Sequence, residues 1–155
     1  MSSVILPGSY DPITLGHLAL IEKAARLYDE VHVVAFINPD KQYTFSIEQR
    51  VEMLRLATEN LEGVTVGYSE GRVVDYMRER GIEKIIKGYR SESDLQYERR
   101  QAEYNLEHGG YETELWEADA KMQSISSTKA RELIRDGKNL SEILPEKVIS
   151  YINNY

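Results

Sequence analysis

The 155-residue sequence contains no cysteine. A disulfide framework, a cysteine-based zinc site and a thiol nucleophile are thereby excluded. No apolar run approaches ~18 residues, so no transmembrane helix is expected. The opening stretch, Met1-Ser2-Ser3-Val4-Ile5-Leu6-Pro7, has neither a basic region nor a long apolar core, and no signal peptide is expected. These absences fit a cytoplasmic chain with no membrane partner. A basic excess is also missing: net charge is −7 and the sequence pI about 5.1. Sequence-independent nucleic-acid binding needs a broad basic surface, so no nucleic acid is expected as a partner. A small anionic ligand stays compatible, because a local basic pocket can sit on an acidic protein.

What is present is ordinary globular material, with 41% hydrophobic and 29% charged residues. The length suits a single domain over residues 1–155 with a core of its own. Short β-rich runs alternate with helical periodicity. Strands are expected at 3–6, 30–37, 64–66, 84–87 and 112–117. Helices are expected at 16–28, 46–60, 73–80, 91–108, 126–136 and 144–153. Ser46 with Gln49 forms a capping box, Gly81 suits a C-cap, and Pro145 opens the last helix. Alternation of this kind implies an α/β fold: one doubly wound domain, a five-stranded parallel sheet with helices on both faces. Such sheets bind ligands beyond the carboxyl ends of their strands, near the switch in strand order.

Three clusters lie at such positions. The first, Gly8-Ser9-Tyr10-Asp11-Pro12-Ile13-Thr14-Leu15-Gly16-His17, follows the first strand and opens a helix. Gly8 allows a sharp turn and close approach of backbone to ligand, and a helix start suits phosphate. His17 alone reads as a surface histidine; the ten-residue string reads as a binding loop. The second cluster, Lys87-Gly88-Tyr89-Arg90-Ser91 with Asp94, Tyr97 and Glu98, follows the fourth strand. Two cations flanking a glycine make a phosphate clamp, or a solvated basic turn. The third, Ser124-Ile125-Ser126-Ser127-Thr128-Lys129, starts a helix with three successive hydroxyls. One of these would be a plain N-cap; three in a row suit an anion nest. Among the remaining candidates, His32 and Trp116 read as structural, as do most tyrosines. His108 reads as a helix-terminal cation, and Glu112, Glu114 and Glu117 as a solvated face.

Together the three clusters resemble the phosphopantetheine adenylyltransferase family of the HxGH nucleotidyltransferases, in order and spacing and over nearly the whole chain. The carrying residues are Gly8-Ser9-Tyr10-Asp11-Pro12 with Thr14-x-Gly16-His17, then Gly88, Arg90, Asp94, Tyr97 and Glu98, then Ile125-Ser126-Ser127-Thr128. The resemblance implies a Rossmann-like nucleotidyltransferase moving AMP from ATP to 4′-phosphopantetheine in coenzyme A biosynthesis. His17 and Lys87 would be catalytic. ATP would be held by Ser9, Tyr10, His17, Gly88, Tyr89, Arg90, Glu98, Met122, Gln123, Ser124, Ile125, Ser126, Ser127 and Thr128. The acceptor would meet Ser9, Lys41, Gln42, Val73 and Lys87. Magnesium is expected with the nucleotide, without a dedicated protein cage. A homo-oligomer, often a hexamer in the family, is implied.

The chain departs from the family pattern in three places. Aligned on Phe45 and Arg50, the position of the family's loop lysine holds Gln42, with Lys41 beside it. Lys87 replaces an arginine, keeping the charge but losing the two-pronged fork. Tyr10 replaces phenylalanine. These departures keep two alternatives in view: a related nucleotidyltransferase with another phosphorylated acceptor, or a nucleotide-binding homologue of low turnover. Thr14, where cytidylyltransferases usually carry a histidine, speaks against that branch.

Overall fold

The computed structural model describes residues 2–154. Strand and helix alternate along the chain: β1 (Ser3–Gly8), α1 (Leu15–Leu27), β2 (Glu30–Phe36), α2 (Ile47–Thr58), β3 (Val64–Ser69) and α3 (Val73–Arg80). They continue as β4 (Lys84–Tyr89), α4 (Glu92–Gly109), β5 (Thr113–Glu117), α5 (Ser127–Arg135) and α6 (Glu146–Asn153), with a 3₁₀ turn at Ala120–Met122. The five strands form one parallel sheet in the order β3-β2-β1-β4-β5. This is the α/β architecture that the alternation predicts.

Side-chain alternation along the strands divides the core between two faces. Val4, Leu6, Val33, Ala35 and Ile86 point to one face and bury against Ile21 of α1, Met53 of α2, Ala130 of α5 and Val148 of α6. Ile5, Val34 and Ile85 point to the other, against Met77 of α3 and Ile82. Burial of a large aliphatic side chain contributes about 1.5–3 kcal/mol, so both faces hold the sheet. Helix α4 is different: Glu98 is the buried residue among its 18, and Tyr97 and Leu106 are more than half exposed.

Three strands run further than their apolar signals suggest: β1, β3, and β4, which reaches Tyr89 through its pairing with Trp116 and Glu117 of β5. β3 reaches Ser69 because Tyr68 and Ser69 stay paired with Ala35 and Phe36 of β2. It is an edge strand with Tyr68 exposed, so its last residues carry no apolar run. β1 continues through Pro7 to Gly8 on its β2 side, whereas its register with β4 ends at Ile5. Proline lacks the amide that would extend a ladder. β1 and β4 therefore part at their carboxyl ends, where the strand order reverses direction. The fold opens there.

Candidate active site

A cavity of about 410 Å³ occupies that opening. Its walls come from residues 6–10 at and beyond the end of β1, from Gly16, His17 and Leu20 of α1, from residues 86–90, from Glu98 of α4, and from Trp116 to Asp119 with Met122, Ile125 and Ser126. The site thus sits at the topological switch point, as open parallel sheets require.

His17 is fixed by the start of its own helix. Thr14 is the N-cap of α1, and its hydroxyl accepts the His17 amide at 3.3 Å. In return the imidazole accepts the Thr14 amide through Nδ1 at 3.0 Å. An amide can only donate, so Nδ1 carries no proton and the neutral ring is protonated at Nε2. Burial, followed by the positive charges of Lys87 and Arg90, lowers the His17 pKa from 6.5 to about 4. The ring lines the cavity as a neutral hydrogen-bond donor.

Tyr10 packs edge-on against that ring, with centroids 5.0 Å apart, and its hydroxyl donates to the Leu6 carbonyl at 2.8 Å. Its hydroxyl is thereby used within β1, and burial pushes its pKa well above the ordinary tyrosine value. Tyr10 also holds a φ of +50°, a conformation uncommon for a bulky residue. Gly8 lies beneath the tyrosine, where an added Cβ would come within 3.2 Å of the ring.

The second cluster forms the opposite wall. Lys87 donates to the Pro7 carbonyl at 3.1 Å, reaching across the gap where β1 and β4 separate, and lies 3.6 Å from Glu98. Burial pushes the Glu98 carboxyl above its usual range, while the Lys87 charge pulls it down. Arg90 is steered by Asp94 one turn along: the carboxylate accepts the Arg90 amide at 3.2 Å and lies 3.5 Å from its guanidinium. Gly88 passes so close under α1 that a Cβ there would meet Leu20 at 3.3 Å.

The hydroxyls of residues 126–128 are already in use. Ser126 caps α5 by accepting the Lys129 amide at 3.1 Å, and Ser127 donates to the Pro12 carbonyl at 2.7 Å. Thr128 accepts from Arg131 at 3.1 Å. What this segment offers a ligand is therefore the α5 N-terminus, whose first amides have no partner within the helix. Met122, Ile125 and Ser126 line the cavity, whereas Gln123 and Ser124 are exposed beyond it.

The loop between β2 and α2 divides its two candidates. Lys41 donates to the Ser9 hydroxyl at 3.1 Å, at the cavity rim. Tyr43 supports it: its ring lies 5.5 Å from the Lys41 ammonium and 3.9 Å from the Arg50 guanidinium. Its hydroxyl accepts the Asn38 amide at 2.9 Å, which folds the loop back on β2. Gln42 is exposed, and neither it nor Lys41 is part of the cavity wall; Lys41 reaches the rim through its bond to Ser9. Val73, at the start of α3, packs on the opposite-face cluster of Ile5 and Met77 and also lies outside the cavity.

Some wall residues carry no legible signal in the sequence. Trp116 does line the cavity, donates to Glu114 at 2.8 Å, and is covered by the Lys23 ammonium at 4.2 Å. Glu114 is then no plain member of a solvated face, since it also binds Lys84 at 2.8 Å. Lys23 lies one helical turn and a half beyond His17, a position without a motif. Arg50 is 2% exposed and donates to the Ser9 carbonyl at 2.8 Å. The family pattern and the 3.6-residue period of α2 single out Arg50, but neither shows its bond to Ser9. His32 contacts Glu30 and Thr65 far from the cavity, and His108 meets the Tyr104 carbonyl near the end of α4.

A neutral donor, three cations lining the cavity, a fourth at its rim and a helix start suit a ligand rich in phosphate. They suit a reaction in which negative charge is redistributed more than one that needs a protein nucleophile. Comparison with known proteins agrees. The family described as cytidylyltransferase-like matches residues 5–133. The phosphopantetheine adenylyltransferase of Clostridium novyi (strain NT) is 39% identical over 155 residues, covering 99% of this chain and 96% of the relative. That of Pseudarthrobacter chlorophenolicus is 41% identical over 150 residues, covering 96% and 90%. Both matches cover nearly the full length of this chain and of each relative. The chain belongs to the cytidylyltransferase-like nucleotidyltransferases and, among them, to the phosphopantetheine adenylyltransferase family.

Proposed function

We propose that this nucleotidyltransferase moves AMP from ATP to 4′-phosphopantetheine, giving dephospho-CoA and pyrophosphate in coenzyme A biosynthesis. The observation that supports the site assignment most strongly is His17, held at Nδ1 by the Thr14 amide and lining one cavity with Lys87 and Arg90. An acceptor phosphate oxygen attacks the α-phosphorus of ATP. A new O–P bond forms as the bond to the bridging oxygen of the β-phosphate breaks, and the electron pair leaves with pyrophosphate. The acceptor is already an anion, so no protein base is required. His17 donates from Nε2 to the transferring phosphate, where charge develops. Lys87 and Lys41 draw in the acceptor phosphate. Arg90 and the α5 N-terminus hold the β- and γ-phosphates, and the Trp116 side of the cavity receives the nucleoside. Catalysis rests on position and preorganised charge.

Magnesium enters this reading only as a companion of the nucleotide phosphates. Among the described residues no group of three or more His, Cys, Asp or Glu stands together to hold a metal ion, so no protein ligands are assigned and no step runs through it. In this reading the chain acts in the cytoplasm as a homo-oligomer, with a hexamer among the forms that sedimentation would distinguish. Exposed Tyr97, Tyr104 and Leu106 on α4 offer apolar surface for self-association. No helix among the described residues is long and apolar enough to cross a membrane.

The test is pyrophosphate release from ATP in the presence of 4′-phosphopantetheine, with CTP and acceptor-free controls. Release that needs both ATP and acceptor is expected. Release with CTP in place of ATP, or with no acceptor, would overturn the assignment.

A further inference from the structure

Asp11 is 2% exposed, yet it contributes no group to the cavity wall. Its carboxylate faces away, toward the loop that carries Lys41. Oδ2 accepts the Thr44 amide at 2.9 Å and Oδ1 the Phe45 amide at 2.9 Å. Both oxygens of one buried carboxylate thus hold two successive backbone amides just ahead of α2. From the other side, the Asp11 carbonyl accepts Arg131 of α5 at 2.9 Å. The neighbouring Pro12 carbonyl accepts Ser127 at 2.7 Å. A short segment after β1 therefore ties together the loop bearing Lys41 and helix α5.

The geometry points to Asp11 as a positioning residue: it holds the 38–45 loop against the cavity so that Lys41 stays on Ser9, at the acceptor end of the site. This rests on the reading of Lys41 as an acceptor contact. Hydrogen bonds to an ionised carboxylate are stronger than neutral ones, and these two are part-buried. The Lys41 ammonium, by contrast, is exposed and has a flexible stem. Left to itself it would sample many positions; anchoring the backbone three residues away restricts them. The Tyr43 ring between Lys41 and Arg50 narrows the range further.

Asp11→Asn is the first test. Asparagine keeps one acceptor and turns an NH₂ group toward the second amide, so the pair cannot both be satisfied. The KM for 4′-phosphopantetheine is expected to rise about tenfold, with ATP affinity unchanged. In a Lys41→Ala background the same substitution should add nothing, because Asp11 acts through Lys41. Equal loss of ATP and acceptor affinity, or a full additional loss in the Lys41→Ala background, would overturn the proposal. Should Asp11→Asn fail to fold, hydrogen exchange in the unaltered protein decides. Slow exchange at the Thr44 and Phe45 amides is expected, and exchange as fast as in an open loop would overturn it. That measurement stands even if the unaltered protein shows no acceptor-dependent turnover, which would count against the functional reading alone.

Discussion

His17 owes its chemistry to three neighbours. Thr14 supplies the amide that occupies Nδ1, and Lys87 and Arg90 add to the effect of burial in keeping the ring uncharged. With a pKa near 4, the ring keeps one protonation state through the neutral range. The pH profile of kcat/KM should then show no His17 inflection near pH 6.5. His17→Ala should lower kcat by about 10²–10³, the usual loss when one preorganised donor is removed. Stability carries the same signature. Between pH 6.5 and about 4 the unfolded chain binds a proton at this ring and the folded chain does not. The His17 contribution therefore rises with pH across that window and is lost as pH falls, by roughly 2–4 kcal/mol in full. Denaturant melts of the wild-type protein and His17→Gln, compared from pH 6.5 down to 4, should differ in slope in that sense. Lys41 and Gln42 separate as cleanly. Lys41→Ala should weaken acceptor use about tenfold or more, and Gln42→Ala should leave it near the wild-type value, when KM and kcat are measured side by side.

Helix starts do much of the work at the level of elements. The Thr14 cap fixes α1 and aims His17, so Thr14→Ala should lower stability by about 1 kcal/mol and reduce kcat as well. Helix ends matter through packing. A Cβ on Gly109 would lie 2.7 Å from Val74 and 2.9 Å from Tyr111, so Gly109→Ala should cost about 1–3 kcal/mol in thermal or denaturant unfolding. The capping box of Ser46 and Gln49 is legible in the sequence because both partners lie within one turn, and it is formed. The same logic applies less well to residues 126–128. Three hydroxyls read as an anion nest, but their partners include Pro12, more than a hundred positions away. Local pattern cannot show that a hydroxyl is already taken by a distant carbonyl. The β3 end at Tyr68 and Ser69 was likewise hidden, since it depends on pairing with β2 rather than on its own composition.

On the scale of the whole molecule, the separation of β1 from β4 makes the cavity. Strand alternation in the sequence implies a parallel sheet, and the rule for open sheets places the chemistry after its strands. The residues of the first two clusters could therefore be located before any coordinates were known. Lys23 and the cavity role of Trp116 could not, nor could the partners of Asp11 and Arg50, because each acts through contacts that only the tertiary fold creates. Charge is also organised at this scale. A chain of net charge −7 gathers Lys23, Lys87 and Arg90 in one cavity, with Lys41 at its rim. Acceptor and nucleotide affinity should consequently fall as ionic strength rises, which titrations at increasing salt would measure.

The most direct test of the account is mass analysis of the product formed from ATP and 4′-phosphopantetheine. It predicts dephospho-CoA in equal amount to pyrophosphate, with formation impaired by Lys41→Ala. Folded, ATP-binding protein that yields no dephospho-CoA would contradict it.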